Sequence, residues 1–173
     1  MPADSAAVPE MPVEAPKWPD LRDDGLHDPT NRGIGLLQQP REALSVLPPA
    51  NEGNHVDWVA ALRTGAINPR TNVFPETKIK VLDLDVLMED TAAMPIVKFP
   101  HRPHTEWLDC ENCHDKIFKA KRGTNAVNML AILQGNFCGQ CHGAVSFPLT
   151  QCARCHSVSR GQAIPQPAQG TQP

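Results

Sequence analysis

Residues 109–116 read DCENCHDK, a pair of cysteines three apart followed at once by a histidine. The pattern returns as CGQCH and CARCH, and the three copies use every cysteine of the chain: Cys110, Cys113, Cys138, Cys141, Cys152 and Cys155. The histidines that close them are His114, His142 and His156. A redox dithiol uses only the two sulfurs and sits at the start of a helix in a βαβ domain. Zinc fills a tetrahedron of four ligands, so six thiols and three histidines are an awkward inventory for it. A disulfide framework gives the histidines no role.

C-x-x-C-H taken as a unit is the attachment signature of c-type haem. The two thiols form thioethers with the haem vinyl groups across about one helical turn, and the next residue then lies under the iron as its axial ligand. The reading is therefore three covalently bound haem c groups, with the six cysteines as attachment points and His114, His142 and His156 as iron ligands. Three irons need three further donors. Four histidines remain, His27, His55, His101 and His104, and the pair in FPHRPH lies just before the first motif on a backbone stiffened by Pro100 and Pro103.

These sites need elements to position them. The chain has 173 residues, enough for one domain with extensions. Residues 1–20 hold five prolines and few apolar anchors, so they read as a disordered arm, and residues 161–173 as a disordered Gln/Pro/Gly-rich tail. Residues 21–92 form an acidic extension. In it PREALSVL is a short helix candidate. So is DWVAALRTG, with Asp57 as N-cap, Trp58 and Leu62 one turn apart and Gly65 as terminator. The alternation in KIKVLDLDVLM predicts a strand through Ile79, Val81, Leu82 and Leu84, and MPIVKFPH a second one ended by Pro100. Residues 93–160 carry all three motifs and one good helix, TNAVNMLAILQG, capped by Thr124 or Asn125 and closed by Gly135. So short a segment does not bury a sufficient core by itself, and three porphyrins are expected to form it. The expected fold class is a small, mostly irregular multihaem cytochrome c with few short helices, a short two-stranded β element and a haem cluster as core.

Charge is uneven. Residues 1–92 carry 15 acids and 8 bases, residues 93–160 carry 4 acids and 8 bases, and the net charge is −3. The basic half does not argue for nucleic acid. Lys116, Lys119, Lys121 and Arg122 are placed to offset haem propionates, with a folded-back acidic arm or an acidic partner as the other readings. No apolar run approaches the roughly 20 residues of a membrane helix. The first residues lack the basic and apolar regions of a signal peptide. Thioether haems are attached outside the bacterial cytoplasm, so the natural precursor is expected to be exported to the periplasm or cell surface, its signal removed from this chain.

The string VKFPHRPHTEWLDCENCH…CGQCH…CARCH resembles the three-haem c7-type cytochromes, relatives of the cytochrome c3 family, over about Lys78 to His156. The longer pattern from WVAALRTGAINPR onward resembles a branch linked to extracellular electron transfer. The resemblance implies that His101 serves the haem of Cys110, Cys113 and His114, and that His104 crosses to the haem of Cys138, Cys141 and His142. Where the family usually offers a histidine four residues before the second motif, this chain has Gln134. Met129 is the expected replacement as a thioether ligand to the third haem. Plain packing of Met129, ligation by His55 or His27, and an open iron are the competing readings.

The functional expectation is single-electron relay between donor and acceptor proteins, such as other cytochromes, a membrane oxidoreductase or an outer-membrane conduit, as part of a larger assembly. A small multihaem reductase acting on nitrite, a sulfur species or a metal ion is the alternative. The chain lacks a C-x-x-C-K motif and paired acid/base residues beside a haem motif, which favours relay.

Overall fold

The computed structural model describes residues 18–50 and 55–161, so the expected arm and tail lie almost wholly outside the described residues. Two compact units divide between Ile67 and Asn68.

In the first unit, Asn31 caps a 3-10 helix, Arg32–Leu36, by accepting from the Gly33 N–H. Helix α1, Pro40–Ala43, opens on proline, whose fixed φ suits a first turn. Helix α2, Trp58–Arg63, is capped as expected by Asp57, which accepts from the Ala60 N–H at 2.9 Å, and Gly65 beyond it has φ +75°. Leu21, Ile34, Val56 and Ala61 are its buried apolar residues.

The second unit begins with α3, Pro69–Val73. Its centre is an antiparallel sheet in the order β1–β2–β3: Asp85–Met88, Ile96–Pro100 and His156–Val158. Asp85 stands opposite Pro100 and Met88 opposite Val97, while Val97 also pairs with His156 across an irregular register. Four short helices complete it: α4, His101–Thr105; α5, Cys110–Cys113; α6, Met129–Leu133; and α7, Cys152–Cys155. A 3-10 turn, Phe137–Gln140, carries the second motif and packs on α6, whereas α7 packs on β2 and β3.

Three expectations shift. The sheet has three strands rather than two, because the third motif's histidine opens β3. The first strand starts at Asp85 and not near Ile79. The Leu82 N–H is taken by the Thr105 hydroxyl at 3.0 Å and the Leu84 carbonyl by the His101 N–H at 2.9 Å, so those backbone groups serve α4 instead of a ladder. The helix near Met129 is capped by Asn128, which accepts from the Ala131 N–H at 2.9 Å. Thr124 and Asn125 are engaged with the Lys121 and Lys119 carbonyls.

Residues 68–92 are anchored to the motif-bearing part by exposed ion pairs: Asp83–Arg102, Asp85–Lys98 and Glu89–Arg122, each at 3.1 Å. Exposed pairs of this kind contribute under about 1 kcal/mol each. Arg122 thus has a partner within the unit, while Lys116, Lys119 and Lys121 face solvent. Among the described residues of the second unit, Ile96 is the single buried apolar side chain, and Leu108, Met129, Leu130, Leu133 and Val145 are exposed.

Candidate haem-binding site

The three motifs share one backbone device. The histidine N–H of each donates to the carbonyl of its first cysteine: His114 to Cys110 at 2.8 Å, His142 to Cys138 at 3.0 Å, and His156 to Cys152. One closed turn therefore sets both cysteines and delivers the histidine at its end, as C-x-x-C-H chemistry requires. Asp109 stiffens the first turn, its N–H donating to Asn112 Oδ1 at 2.7 Å. In the second motif the middle glycine is sterically required. A Cβ on Gly139 would lie 1.9 Å from the Ile132 carbonyl oxygen of α6.

All six thiols are free of disulfides, and Cys110 and Cys152 are exposed. Burial pushes the Cys138 thiol up to about 11, aided by the nearby Cys155. Burial also raises Cys113, with Cys141 and Cys110 adding to it, and Cys155, with Cys152 adding to it. Sulfurs of the second motif thus sense those of both other motifs. Among the described residues no group of three or more histidine, cysteine or carboxylate side chains could hold a metal ion, so the donor set has no zinc-type grouping.

The histidines carry the clearest signal. Nδ1 of His101 lies 2.9 Å from the Leu84 carbonyl, that of His104 2.7 Å from Pro100, that of His114 3.0 Å from Phe118 and that of His156 2.8 Å from Pro95. A carbonyl only accepts, so Nδ1 is the protonated nitrogen in each and Nε2 keeps its lone pair. This is the arrangement in which metal-bound histidines are held. His142 differs: its Nδ1 is buried with no hydrogen bond. Its ring packs on Phe147 at 4.2 Å and stands 6.1 Å from the ring of His104, at 66°. Burial lowers the pKa of both rings, and repulsion from neighbouring groups adds to it, from His101 at His104 and from His104 and Arg154 at His142. The Phe147 backbone opposes the shift at His142 without satisfying Nδ1.

Helix α4 explains why His101 and His104 act as a pair. It starts where β2 ends, and residues three apart share a helix face. Phe99 wedges against both, its ring 4.9 Å from His101 and 4.4 Å from His104. Met129 is 48 % exposed at the start of α6, whose main packing partner is the 3-10 turn of the second motif, whereas the third motif's α7 packs on β2 and β3. His27 bonds Asp24 through Nδ1 at 2.7 Å on the surface of the first unit. His55, in the same unit, stands edge-on to Trp18 with φ +58° and a buried Nδ1 that has no hydrogen bond.

Sequence reasoning missed two supports. Thr105 is buried, accepts from the Leu82 N–H and donates to the His101 carbonyl at 3.0 Å, fixing α4 to the segment that leads into β1. Arg70, 12 % exposed, pairs with Asp109 and donates to the Thr105 carbonyl at 3.2 Å. A buried threonine after a His-x-x-His pair is the one signal that pointed there.

Paired cysteines on a closed turn, tautomer-fixed imidazoles and exposed apolar side chains around them fit covalently held haem. Together they define a c-type cytochrome site. Residues 97–157 match the family model described as cytochrome c7 and related cytochrome c, and this segment is a c7-type multihaem cytochrome module. No curated protein and no solved structure matches the chain. The module's general function is electron transfer by haem c, which supplies one-electron exchange between ferric and ferrous iron.

Proposed function

We propose that residues 68–161 form a trihaem relay passing single electrons between redox partners outside the cytoplasm. Cys110/Cys113, Cys138/Cys141 and Cys152/Cys155 hold the three groups, and His114, His142 and His156 are the proximal ligands. His101 completes the first site, His104 the second and Met129 the third. The observation that carries this reading is the His104–His142 pair. Two imidazoles on one metal, each bonded at about 2 Å, place their ring centroids on the order of 6 Å apart, and these rings stand at 6.1 Å. The first unit is read as a partner-docking or haem-covering extension, and the partners as donor and acceptor cytochromes or a membrane oxidoreductase, at the periplasm or cell surface.

Closed, six-coordinate irons pass electrons and bind no small ligand, which is why the relay is preferred to a reductase. A higher-potential third site would direct the flow, because a thioether ligand favours ferrous iron. The test is haemochrome quantification of the holoprotein with visible and near-infrared spectra, with and without carbon monoxide. Three low-spin haems with a thioether–iron band support the whole assignment. A high-spin fraction that binds carbon monoxide overturns the closed relay. Three low-spin haems without that band return the third ligand to His55 or His27.

A further inference from the structure

The family match begins at Val97, yet two carbonyls that hold site histidines lie before it. Leu84 receives the Nδ1–H of His101 at 2.9 Å and Pro95 that of His156 at 2.8 Å. Leu84 immediately precedes β1 and Pro95 immediately precedes β2, so one hairpin presents both acceptors. Its turn is clamped from the far side of the third motif. Arg160 donates from Nε to the Met94 carbonyl at 2.9 Å and from Nη2 to Thr91 Oγ1 at 2.7 Å and the Glu89 carbonyl at 3.2 Å. Thr91 Oγ1 in turn donates to the Met94 carbonyl at 2.9 Å. Met94 is bonded directly to Pro95. At the other end, the Leu82–Thr105 bond and the β1–β2 ladder hold Leu84 independently of that clamp.

We propose that the β1–β2 hairpin is a potential-setting strap for two of the sites, and that Arg160 is the positioning residue that keeps the Pro95 carbonyl on His156. The proposal rests on the assignment of His101 and His156 as iron ligands. A carbonyl on Nδ1–H raises the basicity of Nε2, favours ferric iron and lowers the reduction potential. Loosening the turn weakens the bond to His156 and moves that site's potential upward, leaving the His101 site in place. A plain charge effect has the opposite sign, because removing a nearby cation favours ferric iron and lowers the potential.

The experiment is a site-resolved redox titration of wild-type, Arg160→Lys and Arg160→Gln holoproteins, with haem content measured on each. A positive shift in one of the three steps in both variants supports the strap. An unmoved Lys variant with a negative shift in the Gln variant overturns it in favour of bare charge. No shift in either, with three low-spin haems present, overturns the strap and leaves the relay intact, whereas fewer than three haems in the wild type overturns the relay reading itself. Should the variants not accumulate, nitrogen-15 histidine spectra of the reduced wild type decide. Slow solvent exchange of the His156 and His101 Nδ1–H protons relative to that of His142 supports the strap, and equal exchange overturns it.

Discussion

His104 faces His142 at 6.1 Å between ring centroids, one on α4 before the first motif and the other at the end of the second. An imidazole from upstream of the first motif thus reaches the histidine of the second, stitching the first two motifs together. His104→Ala is expected to open the second site, giving a high-spin component of about one haem in three that binds carbon monoxide. Burial holds the His104 imidazole below its ordinary value of 6.5, with the neighbouring His101 adding to the effect. Its neutral form, the one the proposed ligation needs, is therefore kept as pH falls through that value. Acid detaches it only below pH 6.5, and a spin change at or above 6.5 would contradict the assignment.

Gly139→Ala tests the seat of the second motif. The added methyl meets a backbone oxygen at 1.9 Å, which moves only if α6 moves. Overpacking of this kind costs about 1–3 kcal/mol or more. The expected result is a lower denaturation midpoint and less haem at Cys138/Cys141, measured by denaturant titration and peptide mass mapping.

Thr105→Val keeps the side-chain shape and removes the hydroxyl. The Leu82 N–H then loses its acceptor, a loss of about 1 kcal/mol for a partly buried bond. Thr105→Ser retains the bond and should restore most of the stability in the same denaturant titration. A loss in Thr105→Ser with none in Thr105→Val would mean that the methyl, not the hydroxyl, is what α4 needs.

Cysteine reactivity of the haem-free chain should be ordered by exposure. Cys110 and Cys152 alkylate readily, while Cys138 stays protonated until pH approaches about 11. Timed alkylation with mass mapping across pH reads this order. Once haem is attached, all six positions should be silent.

What could be read in the sequence was what side chains encode locally. The Cys-x-x-Cys-His units, the Asp57 cap and the Gly65 stop each announce themselves within a few residues. The start of β1 could not be read, because Ile79 to Leu84 alternate as a strand would while their backbone groups are claimed by Thr105 and His101. Strand β3 is three residues long and shares His156 with a motif, which hides it. The carbonyl partners of the histidines had no signature at all. Leu84, Pro95, Pro100 and Phe118 act through peptide oxygens, which every residue carries.

Ile96 stands alone as the buried apolar residue among those described in the second unit. A polypeptide interior that thin cannot hold the sheet and six short helical or turn segments by side-chain packing, so the proposed prosthetic groups must act as its hydrophobic filling. Maturation then doubles as inspection. Under the proposed three-haem assignment, a chain that has received all three groups should close, while one that has missed an attachment should leave α6 or α7 loose and open to proteolysis. On that reading the surviving molecules are counted, one at a time, by their own assembly.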